Sequence, residues 1–227
     1  MITIDRKMAL HVCGNLKSFY NRLVKLYSEE GIDLTDDLGR RNILMSGPME
    51  HFLAEEIGKH YDVTADGRTG KADIVVHLDS GLDFEVECKL TSPHKSSGSI
   101  SFQTDYETLL KKQKLDYVYL VASADFQSFC FIHFEGLTIE DFRGLSPGAR
   151  GKVQMYKYNG MPKANVLVGT VINREQKQVE KLSNALALML SDEEAKKAVD
   201  KVYNLHEKIK IVKNRNPTYS IICEEIK

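Results

Sequence analysis

Asp73, Glu87 and Lys89 are the residues whose types and spacing could do chemistry; thirteen residues separate the two acids, and one separates Glu87 from Lys89. Across residues 83–90 charged and apolar side chains alternate. Neighbours on a strand point to opposite faces, so Phe84, Val86, Cys88 and Leu90 form an apolar face and Asp83, Glu85, Glu87 and Lys89 a charged one. Upstream, residues 72–78 read as a partner strand, and Asp79-Ser80-Gly81 as a three-residue hairpin turn with glycine in the left-handed position. That turn sets Leu78 opposite Leu82, Val76 opposite Phe84, Ile74 opposite Val86 and Asp73 opposite Glu87. Cross-strand partners carry their Cβ atoms about 4.5–5.5 Å apart, so two carboxylates there repel unless a cation sits between them. A hard divalent ion taking oxygen ligands, Mg²⁺ with Mn²⁺ as a substitute, is the natural occupant. Lys89 lies roughly 6.6 Å further along the same face, within reach of an attacking water or a phosphate oxygen. Two acids holding an ion, with a lysine that orients water and offsets phosphate charge, make a phosphodiester-hydrolysing site. A one-residue slip would turn Asp73 to the core, so the reading depends on the turn. The plain alternative is a solvated strand face of mixed charge.

The surrounding elements must hold these residues in place. Leu16, Phe19, Tyr20, Leu23, Val24 and Tyr27 recur at helical spacing and predict an amphipathic helix ending near Gly31. A polar, basic stretch with Arg40 and Arg41 leads to Ser46-Gly47-Pro48, which reads as the start of a helix over 48–60 with Met49, Phe52, Leu53 and Ile57 facing inward. The period then drops to two, with a short strand at 62–65 and the hairpin above. After a Ser/Gly-rich loop at 91–100, Thr104 and Glu107 resemble a capping box opening a helix to about residue 114. Residues 117–123 form an apolar run suited to a buried central strand, residues 128–134 another strand. Two helices close the chain, over 175–190 and from a Ser191/Glu194 cap to about 213. The order is α-β-β-β-α-β with helices added at both ends: an α/β fold with a mixed central sheet flanked by helices.

Asp73 and Glu87-Cys88-Lys89 inside that order resemble the PD-(D/E)XK nuclease superfamily, the restriction-endonuclease-like fold, over about residues 47–123. Ala72 stands where the name-giving proline would. The resemblance implies a division into an N-terminal helical extension (1–46), a nuclease core (47–135), and a basic segment with C-terminal helices packed on it (136–227), together forming one compact domain. It implies that Asp73, Glu87 and the backbone carbonyl of Cys88 ligate the metal, that Lys89 positions the water, and that an acid from the preceding helix assists. Glu50 is the best match for that acid, since it shares a face with Leu53 and Ile57; its plain alternative is a favourable charge at a helix N-terminus. Glu55 and Glu56 match less well, and Glu85 is a candidate for a second ion. A homodimer on double-stranded DNA is what the resemblance implies for partners.

No acidic residue occurs from 142 to 172, although 32 of the 227 residues are Asp or Glu. Arg143, Arg150, Lys152, Lys157 and Lys163 lie there, interleaved with Tyr156, Tyr158 and glycines, and loops of this kind suit backbone phosphates. The acid-free stretch 91–103 directly follows Lys89 and adds His94 and Lys95. A net charge of −1 argues against a uniformly basic coat protein. Cys13, Cys88, Cys130 and Cys223 have no CxxC spacing, which argues against zinc and a disulfide framework and for a reducing cytoplasm. No stretch approaches a membrane span or a signal peptide, and no GxxxxGK[ST] loop suggests an ATP-driven motor. The leading expectation is an Mg²⁺-dependent DNA endonuclease of the type II restriction kind. The alternatives are a repair or recombination nuclease acting on junctions or ends, and a non-catalytic DNA-binding protein of the same fold.

Overall fold

The computed structural model describes residues 2–65, 72–81, 83–95, 98–145, 148, 151–189, 191–213 and 218–226, with backbone alone for 206–213. In chain order the elements are α1 (Arg6–Glu29), α2 (Leu38–Gly58), β1 (Asp62–Ala65), β2 (Ile74–His77), β3 (Asp83–Thr91), β4 (Gln103–Asp105), α3 (Tyr106–Lys112), β5 (Lys114–Ala122) and β6 (Ser128–Thr138). They continue as β7 (Lys152–Gln154), α4 (Lys157–Gly160), β8 (Ala164–Val168), β9 (Thr170–Asn173), α5 (Arg174–Met189), α6 (Asp192–Lys213), β10 (Tyr219–Ile222) and β11 (Glu224–Glu225). The main sheet runs β1-β2-β3-β5-β6, and the outer edge of β6 pairs with β8 and β11. Only the β3–β5 ladder is parallel among these pairs. The fold is therefore α/β with a mixed central sheet flanked by helices.

The sheet is buried on both faces, and β5 expresses this most clearly. Val118, Leu120 and Ala122 join the core under α1 and α2, while Tyr117, Tyr119 and Val121 join a second apolar layer with Ile100, Phe102 and Phe142. A strand so placed has no solvated face to alternate toward, which is why its sequence is nearly all apolar. Among the described residues no helix is long and apolar enough to cross a membrane.

The hairpin between β2 and β3 has the register read from its alternation: Ile74 opposite Val86, Val76 opposite Phe84, and His77 opposite Asp83. Gly81 sits at φ +74°, where a Cβ would be strained, and its N–H donates to the Leu78 carbonyl at 2.8 Å. Leu82 lies outside the described residues.

The second helix departs from expectation. It begins at Leu38, capped by the Asp37 carboxylate on the Arg40 N–H at 3.0 Å, and carries Pro48 in its interior. Proline there forgoes one backbone hydrogen bond. The helix persists because Arg41, Met45, Met49, Leu53 and Ile57 recur every four residues and are all buried, one continuous stripe against the sheet. Arg41 is therefore no part of a polar connection. It is 1% exposed, donates to the carbonyls of Ser123 and Ala124 and to Ser92 Oγ, and stacks near Phe126. A division after residue 46 would fall inside this helix.

Two further expectations are corrected. Thr104 caps no helix: it is the middle residue of β4, which pairs with β7 through Gln103–Gln154, Thr104–Val153 and Asp105–Lys152. The following helix opens with the Tyr106 N–H donating to the Gly151 carbonyl at 2.8 Å. The basic segment is not open loop either, since it supplies β7, α4, β8 and the start of β9.

Candidate active site

β3 delivers Glu87 and Lys89 on one face, and the end of β2 delivers Asp73 beside them. Glu87 is 7% exposed. Its Oε1 accepts from Lys89 Nζ at 2.5 Å, while Oε2 is buried with no hydrogen-bond partner. A buried carboxylate oxygen left without a donor is costly, so this atom marks a place where a ligand would relieve the molecule. Asp73 does not extend the ladder. Its Oδ2 instead accepts from the Cys88 backbone N–H at 2.7 Å, filling the position where β2 has run out. The Cys88 thiol packs in the core under α1 and α2, and burial, with the nearby acids adding, pushes its pKa well above the usual thiol value.

Electrostatics tie these groups together. Burial raises the Glu87 pKa, Lys89 opposes and Asp73 adds to it. Burial works against the Lys89 ammonium, but Glu87 and Asp73 outweigh it and hold its pKa above the ordinary value. Glu50 belongs to the same group: burial first, then the Asp73 charge, lift its pKa from 4.5 to about 7, with Lys89 opposing and Glu87 adding. The sequence reading had Glu50 opening a helix. It lies in the second half of α2 instead, so stabilisation of a helix N-terminus does not explain it.

A carboxyl whose folded-state pKa lies above its unfolded value destabilises the fold progressively as pH rises between the two. Glu50→Gln is accordingly expected to melt with wild type near pH 4 and above it at pH 8. Calorimetric melting at both values checks this, and equal melting at pH 8 would place the Glu50 carboxyl in solvent.

The other acids of the sequence reading are engaged elsewhere. Glu85 is ion-paired with Lys112. Glu56 is 5% exposed and held by Lys59 and His11, and Glu55 lies 3.7 Å from His51. His77 bridges Thr64 and Asp83 at 2.8 Å each, a structural tie within β1–β3.

Among the described residues no three His, Cys, Asp or Glu side chains gather closely enough to hold an ion by themselves. That does not disqualify Mg²⁺, which keeps several waters and is held through one or two carboxylates together with substrate phosphates. Asp73, the orphaned oxygen of Glu87 and the Cys88 carbonyl are the hard oxygen donors such an ion takes.

Two tyrosines escaped the sequence reading. Tyr117 and Tyr119 lie across the parallel ladder from Glu87 and Lys89 respectively. Tyr117 Oη shares a hydrogen bond with Thr104 Oγ1 at 3.0 Å, and Tyr119 Oη donates to the Gln103 carbonyl at 2.8 Å. They carry β4 and β7 alongside the acids. Two hydroxyls spaced i, i+2 in an otherwise aliphatic run were the available signal.

The basic residues divide. Lys152 is exposed on β7 opposite Asp105, Arg143 is exposed, and Lys157 is half-buried beside it. Lys95 is exposed on the loop after β3 and donates to the Asp36 carbonyl at 2.8 Å. Lys163 is bound to Asp141 at 2.6 Å, and Arg150 lies outside the described residues. Comparison with protein-family models and with curated proteins gives no match.

Proposed function

We propose that the chain is an Mg²⁺-dependent endodeoxyribonuclease of the type II restriction kind, a PD-(D/E)XK nuclease cutting double-stranded DNA as a homodimer in the cytoplasm. The observation that carries this reading is the buried Glu87 carboxylate, one oxygen on Lys89 and the other orphaned, in electrostatic contact with Asp73 and Glu50. The order α2-β1-β2-β3-β4-α3-β5, in which β4 lies outside the main sheet and β3 and β5 are the parallel pair, is compatible with the core that this family would require.

Asp73, Glu87 and the Cys88 carbonyl would hold the ion, which when bound supplies positive charge to the reacting phosphate and acidifies water. Lys89 offers its ammonium to the attacking water or to a non-bridging phosphate oxygen, an electrostatic task suited to a half-buried lysine held beside Glu87. Glu50 would assist from α2, where its carboxyl is in electrostatic contact with Asp73, Lys89 and Glu87. Glu87 on the buried part of β3, bonded by Lys89, and Asp73, bonded by the Cys88 N–H, are held in place by these contacts before substrate arrives.

The test is incubation with supercoiled plasmid and with branched DNA in Mg²⁺. Discrete linear fragments from plasmid are expected. Cutting confined to branched DNA would favour a junction-acting nuclease, and DNA binding with no cleavage in Mg²⁺ or Mn²⁺ would leave a non-catalytic binding protein.

A further inference from the structure

A cavity of about 760 Å³ lies at the end of β3 remote from Lys89, lined from β3, β5, β6 and the N-terminal Ile2. Its volume falls in the range of small-molecule sites. The sequence builds it at an irregularity. The β5–β6 ladder shifts register between Leu115 and Tyr117, and the Asp116 carboxylate takes over where backbone pairing lapses. Its Oδ1 accepts the Gly136 N–H at 2.8 Å, and its Oδ2 bonds His133 Nε2 at 2.8 Å. Gly136 holds φ +60°, and Lys114 crowds the place a Cβ would take, its Nζ 3.2 Å from that position. The imidazole, the aspartate and the Lys114 ammonium are thus gathered round one glycine.

His133 lines the cavity and is 2% exposed. With its Nε2–H donated to Asp116, the neutral ring keeps Nδ1 as an acceptor. That nitrogen is buried with no hydrogen-bond partner, a costly state for a polar atom. Pairing with Asp116 accounts for the turn at Gly136 but leaves Nδ1 unexplained. The charged groups of the lining divide. Asp83 is tied to His77, Glu85 to Lys112 and Lys163 to Asp141. Lys114 and Glu135 are exposed and form no ion pair among the described residues. Ile2, Phe84 and Leu115 add apolar surface to the same cavity. One buried acceptor, one cation, one anion and an apolar wall therefore remain unmatched.

We infer that this cavity is a binding site for a zwitterionic amino acid with an apolar side chain. The α-ammonium donates to His133 Nδ1 and faces Glu135, the α-carboxylate meets Lys114, and the side chain rests on Ile2, Phe84 and Leu115. Each unmatched group of the lining gains a partner this way, and a charged donor on a buried acceptor makes the strongest of these bonds. The site is separate from Asp73, Glu87 and Lys89 and stands whether or not the chain cuts DNA.

Titration of the full chain with L-leucine, followed by NMR of nitrogen-labelled histidine rings, tests it. The His133 signal is identified by its loss in His133→Gln, whose amide still donates to Asp116 but offers nothing in place of Nδ1. Leucine is expected to shift the His133 nitrogens with a dissociation constant of about 1 mM or below. 4-Methylpentanoate, which lacks the ammonium, and 3-methylbutylamine, which lacks the carboxylate, are each expected to bind about 10-fold more weakly, the cost of one charge-assisted hydrogen bond. Lys114→Gln is expected to weaken leucine by a similar factor and to leave the amine unchanged. The analogue series needs only the wild-type chain, so a variant that folds poorly does not blunt the test. No response of His133 at about 10 mM leucine, equal binding of all three probes, or leucine binding that survives both substitutions would each overturn the site.

Discussion

Lys89→Ala is expected to reduce DNA cleavage in Mg²⁺ by about 10³-fold or more while leaving duplex binding measurable, a loss typical of removing a preorganised charge from a reacting centre. The ammonium is fixed by its 2.5 Å contact with Glu87 and kept protonated by Glu87 and Asp73. Removing it also leaves a carboxylate that is 7% exposed without its partner, and a buried charge stripped of its counterpart destabilises a protein. Glu87, whose pKa is already raised by burial, would answer by taking up a proton. Loss of activity in a misfolded protein would therefore be uninformative, and Lys89→Met, which fills the same space without the charge, supplies the control: it is expected to be inactive as well, with melting of both variants measured beside wild type. Cleavage within tenfold of wild type by folded Lys89→Ala would remove this lysine from the chemistry.

The second large effect concerns Asp73, whose two tasks separate by substitution. One oxygen accepts the Cys88 N–H at 2.7 Å, in a strand position where Cys88 itself is 4% exposed. Asp73→Ala strands that donor and is expected to cost about 1–3 kcal/mol of stability. Asp73→Asn keeps an acceptor for the same N–H but deletes the charge. It is expected to fold like wild type, lose cleavage by ~10³-fold and lose affinity for divalent ions. Chemical denaturation together with plasmid cleavage separates the two variants. An active Asp73→Asn would mean that the aspartate serves the backbone alone.

Much of this site was legible in the sequence because its determinants are local. Strict alternation from Asp83 to Leu90 and a glycine able to take positive φ fix the hairpin register as far as Ile74 opposite Val86; Asp73 stands one residue beyond the ladder and takes the Cys88 N–H rather than a place opposite Glu87. The misreadings arose where distant partners decide. Ser46-Gly47-Pro48 looked like a helix start because proline is favoured at the first helical position, yet burial of the stripe from Arg41 to Ile57 outweighs the hydrogen bond lost at Pro48. Thr104 and Glu107 carry the spacing of a capping box, but Thr104 is drawn into β4 by Val153 across the ribbon and by the Tyr117 hydroxyl. The short elements after Phe142 are set by pairing with β4 and β6, so their own few residues show no usable period. Arg41 is the sharpest case: a charge that looks solvated in sequence is buried against Phe126 and strand-end carbonyls.

These tasks all presume that Asp73 and Glu87 share one divalent ion beside Lys89. Crystals soaked in Mn²⁺ test that most directly, through an anomalous difference map. A single peak touching Asp73, the orphaned Oε2 of Glu87 and the Cys88 carbonyl is expected, absent from Asp73→Asn. A map with no peak there, or with manganese bound only at other carboxylates, would contradict it.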